Sequence, residues 1–88
     1  MSEKQKYVRL KEYDEVIIFP CVMEHSTFKY LNPVSAGFCY INPHQHRIDC
    51  FGESVSLMIK SDKKEDSFQA TKQVFGFDSA LKLKTLHK

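Results

Sequence analysis

The sequence predicts an α+β domain: a small, mostly antiparallel sheet of four or five strands, with one C-terminal helix packed on one face. Three observations carry that expectation. Two runs of pleat-favouring residues flank an Asn-Pro turn between positions 38 and 51. A capped helical segment follows them. No long crossover of the kind that joins parallel strands separates the strand runs.

Residues 1–5 are polar and read as a frayed start. Residues 6–10, Lys-Tyr-Val-Arg-Leu, alternate and read as a strand. Residues 11–14 suit a turn. Val16-Ile17-Ile18-Phe19 is a continuous apolar run ended by Pro20, which suits a central strand covered on both faces. Residues 24–31 read either as a short helix stopped by Asn32-Pro33 or as an irregular crossover.

The hairpin is the clearest passage. Phe38-Cys39-Tyr40-Ile41 and Arg47-Ile48-Asp49-Cys50-Phe51 are the strands. Proline cannot donate to a ladder, and Asn-Pro favours a turn. His44-Gln45 lacks the glycine or asparagine of a tight two-residue turn, so a four-residue loop over 43–46 is expected. Closing Asn42 on Arg47 pairs Ile41 with Ile48, Tyr40 with Asp49, Cys39 with Cys50 and Phe38 with Phe51. A slip of one residue would set Cys39 against Asp49, and the first register is the chemically cleaner. It puts Cys39, Ile41, Ile48 and Cys50 on one face, and Phe38, Tyr40, Asp49 and Phe51 on the other.

Gly37 and Gly52 flank the hairpin and read as bends or bulges, since no phosphate-loop pattern surrounds them. Residues 54–59 alternate at their start and predict a third strand, with Val55, Leu57 and Ile59 on its buried side and Ser54 and Ser56 on its solvent side. Asp62 is a good N-cap, and Glu65 has capping-box spacing. Glu65 and Asp66 occupy the first turn, where the helix dipole favours acids. Phe68, Thr71 and Phe75 recur at helical spacing. Gly76 is placed to end the helix in a left-handed conformation, with Phe77 packing back on its last turn. Leu81-Lys82-Leu83 reads as a last edge strand or as tail. The domain is thus expected over residues 6–77, with tails at 1–5 and 78–88.

Size and composition narrow the function. A chain of 88 residues makes one domain and buries roughly 60–65% of its unfolded surface. With 42% hydrophobic residues, including seven Phe and four Tyr, it has the means to fold. A net charge of +2 is too mild to imply nucleic acid and argues against an acidic DNA mimic. No apolar run approaches a membrane span, and no signal peptide is evident. Three cysteines without a CxxC pair fit a reducing compartment, so a cytoplasmic protein is expected.

No catalytic motif stands out. Cys21-x3-His25 and His44-x-His46 are metal-capable, but zinc wants four ligands in close-spaced pairs, and the spacing matches no common site. Burial of Cys39 and Cys50 in the sheet would raise their pKa and make them inert. No cofactor is expected, and the balance leans away from an enzyme.

The aromatic face points toward function. One helix covers only one face of a sheet, and the other carries Phe38, Tyr40 and Phe51. Either residues 21–35 cover it, using Met23, Phe28, Tyr30 and Leu31, or it meets a partner. Partner binding through Phe38, Tyr40, Arg47 and Phe51 is the leading expectation, with a homodimer or another protein as the partner. The alternative is single-stranded nucleic acid stacked on those aromatics, with Arg47, Lys60, Lys63 and Lys64 as the charge. A compact accessory or regulatory protein of a phage or other mobile element fits the size.

Overall fold

A computed structural model describes residues 3–86. Strands β1 (Lys4–Leu10), β2 (Val16–Phe19), β3 (Pro33–Asn42) and β4 (Arg47–Phe51) form an antiparallel sheet in the order β2-β1-β3-β4. Two short strands, β5 (Glu53–Ser54) and β6 (Ile59–Lys60), make a separate small hairpin. Helices α1 (Lys63–Phe75) and α2 (Phe77–Leu86) close the chain. The class is α+β, as expected, but there are two helices rather than one. None of the described helices is long and apolar enough to cross a membrane.

The β3–β4 hairpin has the expected register, with all five pairs from Asn42–Arg47 to Phe38–Phe51 in place. β1 begins at Lys4, so it includes residues expected to fray; Met1 and Ser2 lie outside the described residues. Val16–Phe19 forms an edge strand and not a central one. Its apolar run has another cause. Val16 and Ile18 pack into the core under the helices, while Ile17 and Phe19 pack into the core on the opposite face.

The helix-side core joins Tyr7, Val16, Cys39, Ile48 and Cys50 to Ala70 of α1, with Phe75 at its margin. The other core joins Val8, Phe19 and Ala36, and is covered by Phe28, Leu57 and Ile59. Phe28 belongs to a 3-10 segment, His25–Leu31, which Asn32 ends in a left-handed conformation at φ 53°. The short-helix reading of this region holds, in its tighter 3-10 form.

The strand expected over residues 54–59 is instead a turn between β5 and β6. Ser54 is responsible. Its buried hydroxyl accepts the Leu57 amide at 3.2 Å, and the Met58 amide reaches the Val55 carbonyl at 3.2 Å. A serine hydroxyl bound to its own backbone offers an alternative to the ladder. Val55 therefore projects into solvent and Ser54 lies inside, the reverse of what alternation predicts, whereas Leu57 and Ile59 pack on the core and Ser56 is exposed, as expected.

Asp62 caps α1 through the Glu65 amide at 3.4 Å. The return bond to the Asp62 amide comes from Asp66 at 2.9 Å, while Glu65 binds Gln69. Gly76 has φ 102° and ψ 167°, a positive φ but an extended ψ. It is a hinge, and the chain re-enters a helix at Phe77. Leu81–Leu83 lies within α2, where Ala80 and Leu83, three residues apart, are the buried positions among the described side chains. Phe77 meets the ring of Phe68 edge-on at 6.3 Å, deeper in α1 than its last turn.

Candidate functional site

Phe38 and Tyr40 lie two apart on β3 and point away from the helices. Phe51 on β4 pairs directly with Phe38. The alternation of the strands thus gathers three rings on one surface. Tyr40 and Phe51 stack at 5.4 Å with planes 18° apart, and Phe38 lies 6.1 Å from Phe51. Tyr40 is 44% exposed, whereas Phe38 and Phe51 are half-buried.

Charges border the rings in an ordered way. Lys4 on β1 pairs with Tyr40, and Tyr40 pairs with Asp49 on β4, so one row across the sheet reads basic, aromatic, acidic. Lys4 Nζ stands 4.7 Å from the centre of the Phe38 ring. Arg47 donates to Asp49 through Nε at 3.0 Å and Nη2 at 2.7 Å, which raises the Arg47 pKa. Arg47 is therefore tied to a neighbour at the rim of the site.

The 3-10 segment covers part of this face. Phe28 packs on Phe19 at 4.6 Å, and His25 meets Phe19 and Phe38 edge-on. Met23 and Tyr30, which were expected to help, are exposed instead. Coverage is greatest over β1 and β2 and stops short of Tyr40. Between the segment and the β5–β6 turn lies a cleft of about 360 Å³, floored by Phe38 and His25 and flanked by Glu24, Glu53 and Val55.

The metal candidates separate into distant pairs. Cys21 donates its thiol to the Lys4 carbonyl at 3.2 Å. His25 is buried and donates Nε2–H to the Gly37 carbonyl at 2.8 Å. His44 and His46 belong to the β3–β4 loop, where His46 stacks on Phe75 of α1, on the helix side of the sheet. Among the described residues, no group of three or more His, Cys, Asp or Glu stands where it could hold a metal ion. Cys39 and Cys50 face one another as buried free thiols. The hydrogen bond between them outweighs burial and lowers the pKa of Cys39, against the expectation that burial would raise both thiols, while the same bond and burial raise that of Cys50.

Burial also holds the His25 pKa below its ordinary value. An unfolded histidine titrates near about pH 6.5. The native state binds the proton less readily, so the His25 contribution is neutral above that pH and destabilising as the pH falls beneath it. The wild type is expected to lose stability more steeply below pH ~6.5 than His25→Gln, which keeps a donor for Gly37. Urea denaturation at a series of pH values measures this, and equal slopes would contradict it.

The strongest polar cluster escapes sequence reading. Asp66 is fully buried and accepts from Tyr7 Oη, from Arg9 Nε at 2.5 Å, from Ser35 Oγ at 2.6 Å and from the Asp62 amide. Arg9 also reaches Asp14 at 2.6 Å. Burial works against the Arg9 charge, but the two carboxylates outweigh it and raise its pKa. Tyr7 is likewise raised, by burial and by its bond to Asp66. A carboxylate has about four lone-pair sites. All are occupied, so this cluster clamps β1, β3 and α1 together and has no capacity left for a substrate. Its members lie far apart in the chain, and only the placement of Asp66 in a first turn hints at a role.

Helix α1 also closes sheet edges. On β4, Thr71 Oγ1 accepts the Ile48 amide at 2.9 Å, and Ser67 Oγ accepts the Cys50 amide at 2.8 Å. On β2, the Gln73 side-chain amide pairs with both the N–H and C=O of Val16. These positions are taken from any strand that would add to the sheet. No protein-family model, curated protein or solved structure matches the chain.

Proposed function

We propose that this protein acts by binding and not by catalysis, through the open aromatic half of its sheet, and that a second copy of the chain is its partner there. The observation that carries the reading is the row Lys4, Tyr40, Asp49. A two-fold axis parallel to the strands and above Tyr40 sets Tyr40 on its copy. The same rotation places Lys4 of each copy over Asp49 of the other. The surface is thus self-complementary in shape and in charge, as an isologous interface requires. Two further features support a face over an edge. The β4 edge is occupied by Ser67 and Thr71, and Tyr40 is the kind of rigid aromatic that anchors interfaces.

Single-stranded nucleic acid is the second reading, because Lys4 stands over the aromatic platform. It is the less supported of the two. Asp49 adjoins Tyr40 and engages Arg47, and Lys64 lines a pocket beside Lys84 of α2, away from the rings. A steep fall of affinity with salt would favour it.

Sedimentation of variants tests the proposal. Tyr40→Glu is expected to abolish assembly and to leave the fold intact, at a cost of about 1–2 kcal/mol from the lost Phe51 stack and the facing Asp49. Lys4→Glu is expected to weaken assembly by setting like charges together. Unchanged sedimentation of Tyr40→Glu would defeat this reading.

A further inference from the structure

Two free thiols meet under the helices. Cys39 of β3 and Cys50 of β4 are direct cross-strand partners, and both are fully buried in the core with Ile48 and Ala70. Directly opposed residues point to the same face of a sheet, so the register alone brings the two sulfurs together.

The backbone decides how close they come. The Cys50 amide donates to Ser67 Oγ of α1 at 2.8 Å, and Thr71 Oγ1 engages both the amide and the carbonyl of Ile48. These backbone groups point out of the sheet edge, away from β3. Positions 48 and 50 are therefore the non-hydrogen-bonded positions of the β3–β4 ladder. In such a pair the facing Cα atoms stand about 4.5 Å apart, and the side chains are at their closest. A disulfide spans Cα separations of about 4.4–6.8 Å, so a bridge fits this register without a shift of the strands. The two thiols already share a hydrogen bond.

We infer that Cys39 and Cys50 are a redox pair, which a hydroperoxide converts to an intramolecular disulfide and a thiol reductant restores. Cys39 is the attacking sulfur, because the hydrogen bond from Cys50 favours its thiolate. It attacks one peroxide oxygen. An S–O bond forms, the O–O bond breaks, and the departing hydroxide takes up the Cys39 proton as water. Cys50 then gives up its proton and attacks Cys39 Sγ. The S–S bond forms, the S–O bond breaks, and a second water leaves. Both thiols are oxidised, and one hydrogen peroxide is reduced to two waters. Access comes from the edge: β4 has a strand on one side only, and its outer backbone groups are held by side chains of α1. Local opening there admits a molecule as small as peroxide. The bridge lies on the opposite side of the strands from Phe38, Tyr40 and Phe51, and it does not depend on what binds those rings.

The test treats the folded full chain with hydrogen peroxide, quenches with catalase, unfolds it in urea and alkylates it with iodoacetamide for peptide mapping by mass spectrometry. A Cys39–Cys50 bridge within one chain is expected, with Cys21 alone alkylated. Dithiothreitol is expected to restore all three thiols. Cys21→Ser should form the same bridge at the same rate. Cys50→Ser is expected to stop at a Cys39 sulfenic acid, which dimedone traps. Three free thiols after peroxide would overturn the inference. So would a bridge that uses Cys21, or sulfinic acid at Cys39 in place of a bridge in the unmodified chain.

Discussion

Asp66→Ala is expected to be the most damaging single substitution in the chain, costing about 3–5 kcal/mol, the usual loss when one partner of a buried ion pair is removed. The reason is the number of groups that lose their acceptor at once. Tyr7 Oη, Arg9 Nε, Ser35 Oγ and the Asp62 amide all converge on this carboxylate. Arg9 would keep Asp14, but Tyr7 is fully buried and would have its hydroxyl stranded. The start of α1 would lose its return bond to Asp62 as well. Domains of this size hold a margin of order 5–15 kcal/mol, so the variant should lose roughly a third or more of a typical margin. Chemical denaturation measures it. A loss below about 1 kcal/mol, the worth of one ordinary hydrogen bond, would contradict a fully buried four-donor carboxylate.

Gly37→Ala is expected to be nearly as damaging, for a steric reason. A Cβ at Gly37 would meet the Phe51 carbonyl oxygen, and both Phe51 C and Gly52 C would lie 3.3 Å away. These are backbone atoms of the neighbouring strand, so no side chain can swing aside. β3 and β4 would have to separate beside the Phe38–Phe51 pair. Overpacking of this kind costs typically about 1–3 kcal/mol, occasionally more. For a domain of this size each kcal/mol lowers Tm by roughly 4–8 °C, so a fall of about 10 °C or more is expected. Gly76→Ala is the comparison, because it meets no atom within 4 Å and suffers only from its positive φ of 102°. A melting temperature for Gly37→Ala as high as that of Gly76→Ala would contradict the close approach.

The hairpin and the first helix were legible because local chemistry decides them. Asn42-Pro43 marks the turn, alternation fixes the register, and Asp62 marks the cap. Where a longer-range contact or a side-chain bond decides, the sequence misleads. Leu81-Lys82-Leu83 alternates like a strand, yet Ala80 and Leu83 bury it as a helix against α1. Gly76 looks like a terminus and is a hinge between two helices. Ser54 converts an alternating run into a turn through one hydroxyl. The run Val16–Phe19 reveals burial on both faces but says nothing of how many strands lie beside it.

The candidate site divides in the same way. Phe38, Tyr40 and Phe51 share a face because the register demands it. Their exposure depends on which side of a 3-10 segment turns inward, and there Phe28 faces the core while Tyr30 does not. The Asp66 clamp links residues 57 and 59 positions apart, beyond the reach of any local pattern.

A dimer joined through the aromatic half of the sheet is the proposed working form of the chain. Light scattering of the unmodified protein across a concentration series tests it most directly. A mass rising to twice the 10.3 kDa of one chain and holding there is expected. A mass that stays at one chain at the highest concentrations would contradict it.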